Sequence, residues 1–114
     1  MMIKNASLEH DKNNIWSIRI YNSTSPLTID LANNSQLATI TREDVTDIPA
    51  LFVADPFMIK DNGIWYLFME IMNSKSDLGE IGLITSANGK DWNYDRVILR
   101  ENYHLSYPLI LKND

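Results

Sequence analysis

Four side chains have types and positions that suggest chemistry: Asp55, Glu70, His104 and Tyr107. Asp55 precedes Pro56 at the head of an otherwise apolar run. Proline lacks a backbone donor and biases the residue before it toward extended backbone, so a carboxylate is expected at a strand's beginning, aimed past the end of its sheet. The competing reading is that Asp-Pro is simply a turn former. Tyr107 stands in the matching place of a second segment: "ADPFMIKDN" from Ala54 aligns with "SYPLILKND" from Ser106 on Pro56 and Pro108, 52 residues apart. Tyr107 and nearby His104 each join an apolar ring face to a hydrogen-bonding tip, a combination suited to sugars. Equally, Tyr107 fills space between packed units and His104 caps a loop. Glu70, within "YLFMEIM", puts a charge among large apolar side chains, which is costly unless it is paired or faces a wet cleft. It is a candidate for binding or for a structural bond.

These residues need a sheet to hold them. No helical period of useful length is present, and apolar and aromatic runs alternate with turn signals. Strands are expected over Val53 to Lys60, Ile64 to Met72, Glu80 to Ser86 and Trp92 to Leu99. "KDNG" from Lys60 is a hairpin signal, because Asn62 and Gly63 both tolerate positive φ. "NSKSDLG" is a polar connection, and in "SANGKDW" Asn88 and Gly89 supply a turn while Trp92 packs back on the sheet. Earlier in the chain one strand is expected at Ile15 to Tyr21, a turn at "NSTSPL", a loop at "ANNSQ", and a lead-in at "TREDVTDIPA" whose acidic residues cap a short turn. A repeat near 50 residues with four short strands per unit is the mark of a propeller blade, which needs neighbours to bury its faces. The expected architecture is therefore all-β. Residues 1–50 form an N-terminal strand and lead-in, residues 51–103 a complete blade, and residues 104–114 the first strand of a second blade.

Composition narrows the partners. The chain has 114 residues, 45% hydrophobic and 22% charged, with three Trp and five Tyr, enough for one packed domain. A formal charge of −5, with Lys and Arg scattered, argues against nucleic acid. The absence of Cys and the spacing of the two His argue against disulfides, a structural metal or any other cofactor. No apolar run reaches the length of a membrane span, and the opening "MMIKNASLEHDKNN" lacks the apolar region of a secretory signal, so a cytoplasmic location is expected. The unpaired strand carrying Leu109, Ile110 and Leu111 invites pairing with a second copy, so a homo-oligomer completed through blade edges is expected.

Taken together, "DVTDIPALFVADPF", "WYLFMEIMN", "GEIGLITSANGKDW" and "HLSYP" resemble the N-terminal domain of glucosamine inositolphosphorylceramide transferases, a five-bladed propeller. That domain in turn looks like the family 43 glycoside hydrolases and their arabinanase, levansucrase and invertase relatives. The resemblance spans Trp16 to Pro108. It implies a partial five-bladed propeller, a saccharide partner, and for Asp55 the role of general base or nucleophile. The pattern departs from the hydrolases where the second-blade acid is expected, since Tyr107 stands there, and the later-blade general acid has no counterpart. Hydrolysis needs two carboxyl groups flanking the bond. The expectation is thus a glycosidase-like fragment that is inactive alone but keeps a saccharide-facing wall of Asp55, Glu70, His104 and Tyr107. The alternatives are an assembly module without a sugar role, or the opening part of an active glycosidase or glycosyltransferase-associated domain.

Overall fold

A computed structural model describes residues 2–5, 15–23, 25, 27 and 36–113. Among these the chain is all-β apart from one 3-10 turn, and it forms two antiparallel sheets. The first sheet joins β1 (Met2–Asn5), β2 (Ile18–Tyr21) and β3 (Gln36–Ile40) in chain order. The second is a four-stranded meander of β4 (Ala50–Asp61), β5 (Ile64–Asn73), β6 (Leu78–Ser86) and β7 (Asn93–Leu99).

The meander follows from its turns. Asp61 faces Ile64 across a two-residue loop in which Asn62 and Gly63 take φ of 47° and 80°. Positive φ at both positions gives the turn the twist of the strands it joins. Between β5 and β6, Asn73 Oδ1 accepts from the Lys75 amide at 2.9 Å, and Asp77 takes the left-handed conformation with φ 61°. Between β6 and β7, Ser86 Oγ accepts from the Gly89 amide and Asn88 Oδ1 from the Lys90 and Asp91 amides, each at 2.8 Å. Trp92 Nε1 then donates to the Gly89 carbonyl at 3.0 Å, and the ring packs against the core.

Alternation sorts the sheet's two faces. Leu67, Met69 and Ile71 of β5 point one way with Val53 of β4 and Ile84 of β6, and they join Ile18, Ile20, Ile40 and Val45 in a single buried cluster shared by both sheets. The lead-in turn, Arg42–Asp44, is fixed by a capping box in which the Thr41 side chain accepts from the turn while the Asp44 carboxylate accepts from the Thr41 amide at 2.8 Å. Asp47 then accepts from the Tyr94 hydroxyl at 2.7 Å and from the Val97 amide at 2.8 Å. The lead-in thereby occupies a donor on the outermost strand β7, an edge otherwise open to further pairing. Burial pushes the Asp47 carboxyl up, but these two bonds and the Arg100 charge outweigh it and leave the group below the ordinary carboxylate range.

Several expectations shift. The N-terminal strand begins at Ile18 rather than Ile15, because residues 15–17 make no ladder. β3 begins at Gln36, the last residue of "ANNSQ"; the rest of that loop, and parts of "NSTSPL", lie outside the described residues. β7 begins at Asn93, since Trp92 belongs to the turn. Residues 104–113 form no regular strand. They are held at separate points instead: the Leu105 amide donates to the Gly79 carbonyl at 3.0 Å, and Lys112 pairs with Asp61 at 2.7 Å. Among the described residues no helix is long and apolar enough to cross a membrane.

Candidate functional site

The first piece of the site is a bulge in β4. Ala54 faces Glu70 and Phe57 faces Phe68, so Asp55 and Pro56 together oppose the single residue Met69. A bulge tolerates the missing proline donor, and it admits a residue in the left-handed conformation. Asp55 takes that conformation, with φ 49°. The extended backbone expected before Pro56 is therefore not what forms: the extra residue must be absorbed, and the bulge absorbs it at Asp55. Tyr107, its partner in the repeat, has φ 51° before Pro108. The two segments thus share an unusual backbone state as well as a sequence pattern.

The bulge and the left-handed turn bring three of the four expected residues to one place. Asp55, Glu70 and Tyr107 line a cleft of about 420 Å³ together with Trp16, Phe52 and Ala54. Glu70 arrives from β5 on the face opposite the Leu67, Met69 and Ile71 cluster, which is why it escapes the apolar core. It is only 5% exposed and hydrogen-bonds the Asp55 carboxyl. Burial first, and the adjoining Asp55 second, push the Glu70 carboxyl up to about 8.

His104 is not among the residues that line this cleft; it meets Glu70 from residues 104–113. Its Nδ1 accepts from the Gly79 amide at 2.8 Å, and its Nε2 lies 3.1 Å from Glu70 Oε1. Gly79 makes this approach feasible. A Cβ there would collide with the Leu105 carbonyl oxygen and come within 2.7 Å of the His104 ring and 3.0 Å of Glu70 Oε1. Of the four residues expected on a wall, Asp55, Glu70 and Tyr107 line the cleft and His104 contacts Glu70.

Two features were not anticipated. Trp16 and Phe52 complete the cleft; Trp16 falls within the expected Ile15 to Tyr21 strand, and nothing in its local sequence marked it for the site. Glu70 also supplies a second carboxyl to Asp55, where none was expected within this chain. Two carboxyls in hydrogen-bond contact cannot bracket a glycosidic bond, which requires about 5 Å or more between them. The arrangement suits holding a hydroxyl-rich ligand: acceptor oxygens at the base, aromatic faces at the rim.

Fold and cleft together define a class, an all-β domain with a carboxyl and aromatic site at a strand bulge. Comparison with known proteins makes this more particular. The chain belongs to the family described as glucosamine inositolphosphorylceramide transferase 1, N-terminal, whose model matches residues 8–114. It is 30% identical over 112 residues to the glucosamine inositolphosphorylceramide transferase 1 of Oryza sativa, in both the indica and japonica subspecies. It is 28% identical over 115 residues to the protein of that name from Arabidopsis thaliana. These alignments cover 85% and 88% of the chain but only 15% of each relative, so the chain spans about a seventh of their length. No solved structure matches it.

Proposed function

We propose that this chain is a non-catalytic, saccharide-facing part of a glycosyltransferase-associated domain, built on the plan of a β-propeller. The observation that carries the reading is the cleft in which the Asp55–Glu70 carboxyl pair sits below Trp16, Phe52 and Tyr107. Carboxyl oxygens accept from sugar hydroxyls, and aromatic faces pack on the apolar face of a sugar ring. The relatives are named glucosamine inositolphosphorylceramide transferase 1, and the sugar in that name favours a saccharide over other hydroxylated ligands. Contact between the two carboxyls argues against hydrolysis. The matched left-handed residues Asp55 and Tyr107, and the run of residues 105–112 from Gly79 past Asp55 to Asp61, support the propeller plan, since a neighbouring blade's inner segment would lie there.

A glycan array with aryl glycoside hydrolysis, comparing wild type with Asp55→Asn, tests this. The expected result is saccharide binding that Asp55→Asn abolishes, with no turnover. Turnover lost in Asp55→Asn would replace the reading with a hydrolase, and absence of binding to every sugar would remove the saccharide role.

A second reading is assembly. Leu109 and Leu111 are 70% and 82% exposed, and covering such side chains stabilises an interface by about 1.5–3 kcal/mol each. Self-association through residues 107–111 predicts a concentration-dependent sedimentation coefficient that Leu109→Ser/Leu111→Ser abolishes. A monomer at high micromolar concentration would exclude it.

A further inference from the structure

The contacts around Glu70 form a directed chain. The Gly79 amide donates to His104 Nδ1, so in the neutral ring Nδ1 is the acceptor nitrogen and the hydrogen resides on Nε2. Nε2 therefore donates to Glu70 Oε1 at 3.1 Å. With Oε1 occupied as an acceptor, Oε2 is the oxygen left to carry a proton. Asp55 lies on the other side of Glu70, in a hydrogen bond between two carboxyl groups, and such a bond requires one shared proton. Both line the cleft, but Glu70 is buried, whereas Asp55 is only half-buried. Charge is least costly on the wetter group, so the proton stays with Glu70 and the negative charge with Asp55.

On this basis we infer that His104 is a positioning residue for the saccharide cleft: it pins one oxygen of Glu70 so that the other holds a proton toward Asp55, leaving Asp55 as the single charged acceptor presented to ligand. The inference rests on the saccharide reading for its binding consequence, but the proton arrangement stands apart from any ligand. It treats Glu70, which the sequence offers as a sugar contact, as a proton-bearing spacer. The groups that face Glu70 are Asp55 from β4 and His104 from residues 104–113, with Tyr107 across the cleft. The acid of the next strand, Glu80, lies on the sheet's other face and takes no part.

The arrangement sets a pH profile. Below about pH 8 the pair shares its proton. Above that, two adjoining carboxylates repel and the acceptor geometry is lost, so sugar binding weakens as pH rises through this range. Glu70→Gln mimics the protonated group: its amide oxygen accepts from His104 and its amide nitrogen donates to Asp55.

The test combines two measurements on the full chain. Carboxyl carbon NMR across pH 4–10, without ligand, is expected to show one Glu resonance with a midpoint near 8 that disappears in Glu70→Gln. In His104→Leu that midpoint moves upward, because the anion loses a donor, and His104→Gln, which can both accept from Gly79 and donate to Glu70, moves it back. Chemical-shift titration with glucosamine and with methyl β-glucoside is the second. Binding is expected to weaken at least tenfold in His104→Leu, to recover in His104→Gln, and in Glu70→Gln to lose its decline between pH 7 and 9. An unchanged Glu70 midpoint in a folded His104→Leu overturns the positioning role. A wild-type midpoint in the ordinary carboxylate range overturns the shared proton. If the NMR midpoints behave as described but neither sugar binds, the proton arrangement survives and the saccharide reading falls.

Discussion

Glu70 and Glu80 are the same residue type, on adjacent strands of one sheet, and almost equally buried at 5% and 2% exposure. The register sets them diagonally, Glu70 opposite Ile81 and Glu80 opposite Ile71, so they emerge on opposite faces. Glu80 meets groups that offset its burial: its Oε2 accepts from Asn73 Nδ2 at 2.6 Å, and its Oε1 is paired with Arg100. Glu70 meets an imidazole and another carboxyl. One glutamate is a strut and the other a proton holder. Burial alone does not distinguish them; the character of the partner does.

The largest expected effect comes from removing the strut. Glu80→Ala deprives Asn73 and Arg100 of their acceptor and opens a void beside Ile71, so the chain is expected to lose about 3 kcal/mol, measured by urea unfolding. A loss below about 1 kcal/mol would mean that Glu80 is no more structural than Glu70.

Next is the pH response, which should belong to Glu70 alone. Its carboxyl moves from 4.5 in the unfolded chain up to about 8 in the fold, so the folded state binds the proton more tightly. The stabilisation is complete below about pH 4.5, declines as pH rises, and is gone above about 8. Unscreened, that change would take about 4 kcal/mol from the fold between pH 5 and 8.5; with solvent screening at the cleft, unfolding at a series of pH values is expected to show about 2 kcal/mol lost over that interval. Glu70→Gln should flatten that interval, and a slope retained in the variant would place the titration elsewhere.

A smaller change tests the converse. Arg100→Met takes away the cation that Glu80 uses but leaves Asn73 in place. Because Arg100 is itself 59% exposed, solvent screens the pair and only a small loss is expected, read from the same denaturation curves. No loss would show that Asn73 suffices. Smallest of all is Lys112→Ala, which removes the exposed pair with Asp61. It should cost about 0.5 kcal/mol at low salt and nothing measurable in high salt.

Much of the meander was legible because local chemistry dictates it. Asn62-Gly63 and Asn88-Gly89 mark turns by backbone tolerance, and alternation in "WYLFMEIMN" separates Leu67, Met69 and Ile71 from Glu70. The strands β1 and β3 were not legible. β3 lacks a strong run of β-formers, and what stabilises it is Ile40 and Ala38 opposite Ile18 and Ile20, a contact between segments far apart in sequence. The repeat pointed to Asp55 and Tyr107 as a pair, but the bulge reversed the expected backbone of Asp55, because a rule about the residue before proline knows nothing of strand register. His104 was noticed for its chemistry, but its contact with Glu70 was not foreseen. Its position depends on the missing side chain of Gly79, which no reading of His104 alone reveals.

The meander has a consequence for the order of folding. Each of its strands pairs with the next in sequence, so every ladder closes a short loop. The cleft instead gathers Trp16, Asp55, Glu70 and Tyr107, with long intervening chain to be restrained. Local pairings form ahead of distant ones because less chain entropy is lost in making them. The four-stranded sheet is therefore expected to assemble first and the cleft last. Pulse-labelled hydrogen exchange should protect amides of β5 and β6 before that of Leu105, and simultaneous protection would instead show that the sheet cannot persist without residues 104–113 laid across it.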